Sequence, residues 1–205
     1  MENNSLEKDA QVAYKIIPLP NNKKYYQEIL SAIGLLFDFM FDRHRNIFSV
    51  RFVLVYPSDP DFEYPSDNAR LFKFIKALTL NCQCRNFDPK YVWVKEHSVT
   101  GQVQYHVLLL LDGDLIQNGY SLLKEAAELW ENVLGIENGG GLGYSWAYCD
   151  SDDHQYAGTM IKQDDPNFEE VLNKYFVRVN DLARYYRKCD LCYVCTKEFG
   201  HSRLC

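Results

Sequence analysis

Three side chains in the stretch YVWVKEHSVTGQVQYHVLLLLDG, residues 91–113, have the types and spacing of a small chemical site. Gln104 and His106 interrupt a run of apolar residues two positions apart, and two positions along a strand means the same face. Glu96 lies on the preceding strand, just before a tight turn through SVTG, so antiparallel pairing brings it opposite the start of the next strand. A carboxylate, an amide oxygen and an imidazole make a hard, oxygen-leaning donor set. That set suits Mg²⁺ or Mn²⁺ better than structural zinc. A half-exposed sheet face on which Gln and His simply meet water is the other reading of the same residues. His97, next to Glu96, alternates to the opposite face.

The elements that must position these residues follow from periodicity. YYQEILSAIGLLFDFMFDRHRN sets Ile29, Ile33, Leu36, Phe37 and Met40 at helical spacing and predicts a helix over 23–42. IFSVRFVLVYP alternates and is β-branched and aromatic, which predicts a strand stopped by Pro57. Ser66 or Asp67 is a cap for the helix NARLFKFIKALTLN. Strands are predicted near 90–97 and 103–111, then a helix in GYSLLKEAAELWENVLG that Gly135 can terminate. ENGGGLG lacks the Lys-Ser/Thr of a phosphate loop and reads as a connector into a strand at YSWAYC. SDDHQYAGTMIKQDDPN reads as a loop with room for a short strand, and 167–188 as a helix broken near Asn180. Strand–helix–strand–strand–helix–strand is the ferredoxin-like or RRM-like α+β plan: an antiparallel sheet with helices mainly on one face and the other face open for a site.

Bulk properties bound the function classes. A chain of 205 residues buries a sizeable core without disulfides, and residues 21–205 read as one domain behind a polar arm over 1–20. The net charge, 22 − 28 = −6, argues against a protein that coats nucleic acid nonspecifically but leaves room for a local basic groove. No apolar run approaches membrane-spanning length and the first residues lack a signal-peptide core, so the expectation is a cytoplasmic protein with reduced thiols and no membrane partner.

The segments FSVRFVLVYP, NARLFKFIKAL and YVWVKEHSVTGQVQYHVLLLLDG, with LARYYRK and EFGHSRL further on, resemble the inovirus gene-two-type replication initiators of phages and prophages. The likeness runs from about residue 45 to the C-terminus. That family is related to the HUH endonucleases, whose His–hydrophobe–His triplet lies on a central strand of a ferredoxin-like sheet. The resemblance implies a divalent ion, Mg²⁺ or Mn²⁺, held by Glu96, Gln104 and His106, and single-stranded DNA or a replication origin as partner. It also implies a tyrosine that attacks a phosphodiester to leave a 5′-phosphotyrosyl bond and a free 3′-hydroxyl, in a bacterial host cytoplasm. The triplet here reads Gln104–Tyr105–His106, and a neutral amide is a poorer ligand than imidazole for most first-row ions.

The related enzymes commonly carry Tyr followed by Lys one helical turn on, and Tyr175 with Arg178 matches that spacing. A core aromatic packing with Leu172 and Val179 is the equal alternative for Tyr175. Arg178 holds phosphate as a fork and keeps its proton, which Lys does not. Tyr185 and Tyr186, among Arg184, Arg187 and Lys188, are the competing nucleophiles or a strand-binding patch. Arg70, Lys73 and Lys76 lie at turn spacing on one helix, as part of a DNA groove or as a solvated face. Cys189, Cys192, Cys195 and Cys205 have spacing open to a second metal. Two functions follow: a rolling-circle-type initiator that nicks single-stranded DNA, or a nuclease-inactive DNA-binding or regulatory protein that keeps the HUH fold.

Overall fold

The computed structural model describes residues 27–57, 62–65, 67–98, 101–116, 119–136, 158–183 and 198–204. Its elements are α1 (Gln27–Phe41), β1 (Asn46–Val55), α2 (Ala69–Cys84), β2 (Lys90–His97), β3 (Val103–Asp112), α3 (Gly119–Leu134), β4 (Thr159–Lys162), α4 (Phe168–Val179) with a 3₁₀ turn over Asn180–Ala183, and β5 (Phe199–His201). The expected break of the last helix at Asn180 is where the helix changes to 3₁₀. The short strand foreseen within 151–167 is β4, while the strand expected at YSWAYC lies outside the described residues.

Five strands form one sheet in the order β4-β1-β3-β2-β5, and every pairing is antiparallel. The β1–α2–β2 unit straddles β3, and the β3–α3–β4 unit straddles β1. This interleaving of two βαβ units is the ferredoxin-like plan, and the α+β expectation holds. The β2–β3 turn closes with Ser98 accepting the Gly101 amide at 2.8 Å. Gly101 takes a φ of +82°, a backbone region that side-chain-bearing residues rarely enter.

The helices divide between the two faces rather than sitting mainly on one. One face buries Phe48, Val50, Phe52 and Leu54 of β1 with Tyr105, Val107, Leu109 and Leu111 of β3 against α2 and α3. The other buries Ile47, Val92, Val94, Leu108 and Leu110 against Ile33, Leu36, Phe37 and Met40 of α1 and Leu172, Phe176 and Val179 of α4. This explains why Val107–Leu111 is an unbroken apolar run: both faces of β3 lie in cores. The face carrying Glu96 and His106 is therefore covered over much of its length, and the expectation of an open face is corrected to a site at the end of a packed layer. Among the described residues no helix is long and apolar enough to cross a membrane.

Candidate functional site

The register of β2 and β3 sets the site. Glu96 pairs with Gln104 and Val94 with His106, so Glu96 and His106 are diagonal neighbours on one face, within reach of each other's side chains. Across β1, His106 faces Val53 and Gln104 faces Val55. His106 Nε2 lies 3.1 Å from Glu96 Oε2, with the two side chains 9% and 4% exposed. Gln104 is half-buried, directly opposite Glu96.

Glu96 Oε1 is buried with no hydrogen-bond partner among the described residues. A buried carboxylate oxygen is costly to leave unpaired. That orphan is the feature a small cation would satisfy. Glu96 and His106 bring a carboxylate and an imidazole together, with Gln104 opposite Glu96 in register; these are the donor types that would suit a hard divalent ion. Only two of these are of the His, Cys, Asp and Glu types, and no cluster of three such residues suited to a metal occurs among the described residues.

Sequence reasoning passed over Arg51. Its guanidinium is half-buried on the same face, with Nη2 3.4 Å from His106 Nδ1 and Nη1 donating to the Arg178 carbonyl at 3.1 Å. Arg51 takes a polar place in the alternation of SVRFVLV, so the sequence reads it as the wet side of the strand. Guanidinium has donors only, so Arg51 can hydrogen-bond Nδ1 only in the tautomer that leaves this nitrogen bare.

Tyr175 belongs to a different part of the layer. Its hydroxyl is hydrogen-bonded to the Ser49 hydroxyl, and its ring packs edge-on to Phe37 with centroids 5.9 Å apart. Ser49 pairs with Leu110, four residues along β3 from His106, which is roughly 13 Å at strand rise. Burial pushes the Tyr175 phenol up to about 12, against the opposing pull of the Ser49 hydrogen bond and the Arg51 charge. Arg178 side chain is exposed, and its carbonyl is what meets Arg51. Of the two readings of Tyr175, packing is the one its surroundings express: it does not share the Glu96–His106 pair.

The basic residues of α2 lie behind the sheet. That helix packs on the Phe52–Val107 face, so Arg70, Lys73 and Lys76 stand across the sheet from His106. Arg70 lies over the Phe62 ring at 5.0 Å, whereas Lys73 and Lys76 are exposed. Arg184, Tyr185, Tyr186, Arg187 and Lys188, and the cysteines 189, 192, 195 and 205, lie outside the described residues. Cys82 is a buried thiol pushed up to about 11 by burial, and Cys84 is exposed.

A family model described as the YagK/YfjJ C-terminal domain matches residues 6–202, nearly the whole chain. That description names neither a nuclease nor a replication initiator. Comparison with curated proteins gives no match, nor does comparison with solved structures.

Proposed function

The chain belongs to the YagK/YfjJ C-terminal domain family, and we propose that it is a phage- or prophage-type replication initiator that nicks single-stranded DNA with the help of a divalent ion. The observation that carries this reading is the buried Glu96–His106 pair with an orphaned carboxylate oxygen, on adjacent inner strands of a ferredoxin-like sheet. Glu96, Gln104 and His106 would hold Mg²⁺ or Mn²⁺, which supplies charge stabilisation at phosphoryl oxygens. The chain's part is to present a tyrosine. Its phenol oxygen bonds to phosphorus as the bond to the 3′-oxygen breaks, and the 3′-oxygen leaves with a proton as a hydroxyl.

Tyr175 is on α4, over the same sheet face as the site, so it serves only if its hydroxyl leaves Ser49. Tyr185 and Tyr186 follow in the same stretch of chain. The second reading is a nuclease-inactive DNA-binding or regulatory protein. Gln104 in place of a histidine and the engagement of the Tyr175 hydroxyl in the core favour it.

Incubation with labelled single-stranded DNA pools in Mn²⁺ or Mg²⁺, followed by denaturing gels and mass spectrometry, tests both. A protein–DNA adduct that is lost in His106→Ala supports the nicking enzyme, and its peptide names the tyrosine. DNA binding without cleavage in either ion supports the second reading.

A further inference from the structure

We propose that the outer side of the first turns of α2, with Phe72, Lys73 and Lys76, is a second holding surface for single-stranded DNA, behind the sheet from Glu96 and His106. The inference rests on the reading of the chain as a protein that acts on single-stranded DNA. It adds a place for the part of the strand that lies away from the nicked bond.

Charge points to the class of ligand. The net charge of the chain is −6, yet α2 carries Arg70, Lys73 and Lys76 and no acidic residue from Ala69 to Cys84. Arg70 is engaged locally: it lies over the Phe62 ring and donates to the Glu63 carbonyl, and the Asp67 carboxylate accepts the Ala69 amide beside it. Lys73 and Lys76 differ. Arg43, Arg85, Lys90 and Lys174 each stand against a carboxylate, whereas these two lysines are exposed and have no ion-pair partner among the described residues. Positive charge left uncompensated on an acidic protein suits a polyanion.

Phe72 narrows the polyanion to a single strand. It lies one turn before Lys76 on the same side of the helix and is 51% exposed. Its ring is held against buried Trp93 in a T-shaped contact, with centroids 6.0 Å apart. A large exposed ring beside two ammonium groups is the pairing that holds single strands: bases stack on the ring while the backbone follows the cations. In a duplex the base faces are already covered by one another, and the ring has nothing to stack on.

The surface also lies where a strand leaving the Glu96–His106 pair would meet it. Tyr105 stands between Gln104 and His106 on β3 and alternates to the other face, where its hydroxyl donates to Asn68 Oδ1 at 2.9 Å. Asn68 is the residue that starts α2. Trp93, which carries the Phe72 ring, pairs with Val107 beside His106. The first turns of α2 and the Glu96–His106 pair therefore back onto the same end of the sheet, and a strand that rounds this end passes from one to the other.

Fluorescence anisotropy with labelled oligothymidylates of about 5 and about 15 nucleotides, near the two ends of the range of single-strand site sizes, tests this. Binding is measured in EDTA, so that no bond is cut, and nicking is measured separately in Mn²⁺. Wild type should hold the longer strand more tightly than the shorter. Phe72→Ala should weaken the longer strand on the order of tenfold, the scale of one lost base stack. Lys73→Gln with Lys76→Gln should lower the slope of log affinity against log salt by about 0.7 for each lysine. Phe72→Leu, which keeps an apolar cover on Trp93 but has no ring, replaces the alanine variant if that one does not fold. Affinity and salt slope equal to wild type in every variant, with nicking intact, would overturn the surface and leave the nicking enzyme standing. Binding that responds to these variants in a chain that does not nick would keep the surface and remove the enzyme. No binding of either strand would remove both. Leu80 is exposed on the same helix. A dimer of the DNA-free chain that falls apart in both Phe72→Ala and Leu80→Ala, with DNA affinity unchanged, would overturn the proposal by giving this face to a second copy of the chain.

Discussion

His106 Nε2 and Glu96 Oε2 stand 3.1 Å apart in a position almost closed to solvent, and the second carboxylate oxygen has no partner among the described residues. Removing one member of such a pair is therefore asymmetric. His106→Ala strands the whole carboxylate and should cost on the order of 3–5 kcal/mol, as for an uncompensated buried charge. Glu96→Gln keeps the volume and still offers Nε2–H a carbonyl oxygen, so about 1 kcal/mol is expected. Urea unfolding of the two variants decides it, and a larger loss in Glu96→Gln would show that the carboxylate is not the buried charge it looks to be.

Tyr175 and Ser49 join α4 to β1 through a buried pair of hydroxyls. Tyr175→Phe should lower stability by roughly 1–3 kcal/mol, because Ser49 then loses its buried partner. Adding Ser49→Ala should recover part of that loss. The phenol, held at about 12 where an ordinary tyrosine titrates at 10, binds its proton more tightly in the folded chain. Its contribution is whole below pH 10 and fades as the pH rises toward 12, since the unfolded chain loses the proton first. Tyr175→Phe should remove that share of the alkaline decline. Tyr56, Tyr91 and Tyr105, also raised by burial, keep theirs. An alkaline unfolding curve identical to wild type would mean the phenol is not enclosed.

Alternation of side chains made the core of the site legible, since Glu96, Gln104 and His106 share a face whenever β2 and β3 pair around their turn. The same strand also held the evidence against an open face: five apolar residues in a row at Val107–Leu111 are what a strand between two cores requires. Helical periodicity placed Tyr175 with Leu172 and Val179 but cannot tell a packed phenol from a nucleophile, because both face inward. Arg51 was hidden because a charged residue in a strand reads as its wet side, whereas here that side lies under α4 and meets His106. Strand β5 has only three residues, with a glycine at its centre, and its pairing is decided by tertiary contacts that no local pattern records.

Asp88 ties the far end of the sheet together. It takes the left-handed backbone at φ +43°, and its carboxylate meets Lys90, His44 at 2.9 Å and Arg43 at 3.1 Å, while His44 also reaches Asp112 at 3.3 Å. Burial works against the charge, but the hydrogen bonds from Lys90, His44 and Arg43 win and hold the carboxyl far below its ordinary 3.8. A depressed carboxyl contributes stability that is present above pH 3.8 and is lost as the pH falls below it. Asp88→Asn tolerates the same backbone region, so it isolates the charge from the fold. The variant should be less stable at neutral pH, and the gap to wild type should close on acidification. A gap that stays constant down to the acid transition would assign the loss to shape rather than charge.

Gly200 closes the β2 edge because nothing larger fits against Trp93. A β-carbon there would lie 2.8 Å from the indole Nε1 and 2.9 Å from two ring carbons, and Trp93 is buried with rings of Tyr105 and Phe72 around it. Neither a strand backbone nor a packed indole yields cheaply, so Gly200→Ala should cost about 1–3 kcal/mol, as overpacking does. The damage should be local, because among the described residues β5 pairs with β2 alone. Lys95 gives its amide to the Glu198 carbonyl at 2.7 Å, and Tyr91 gives its amide to the Ser202 hydroxyl at 2.7 Å. Hydrogen exchange should therefore speed up at the Lys95 and Tyr91 amides in Gly200→Ala, while amides pairing β3 with β1 stay protected. Faster exchange throughout β1 and β3 instead would show that β5 is part of the cooperative core and not a strap laid on its edge.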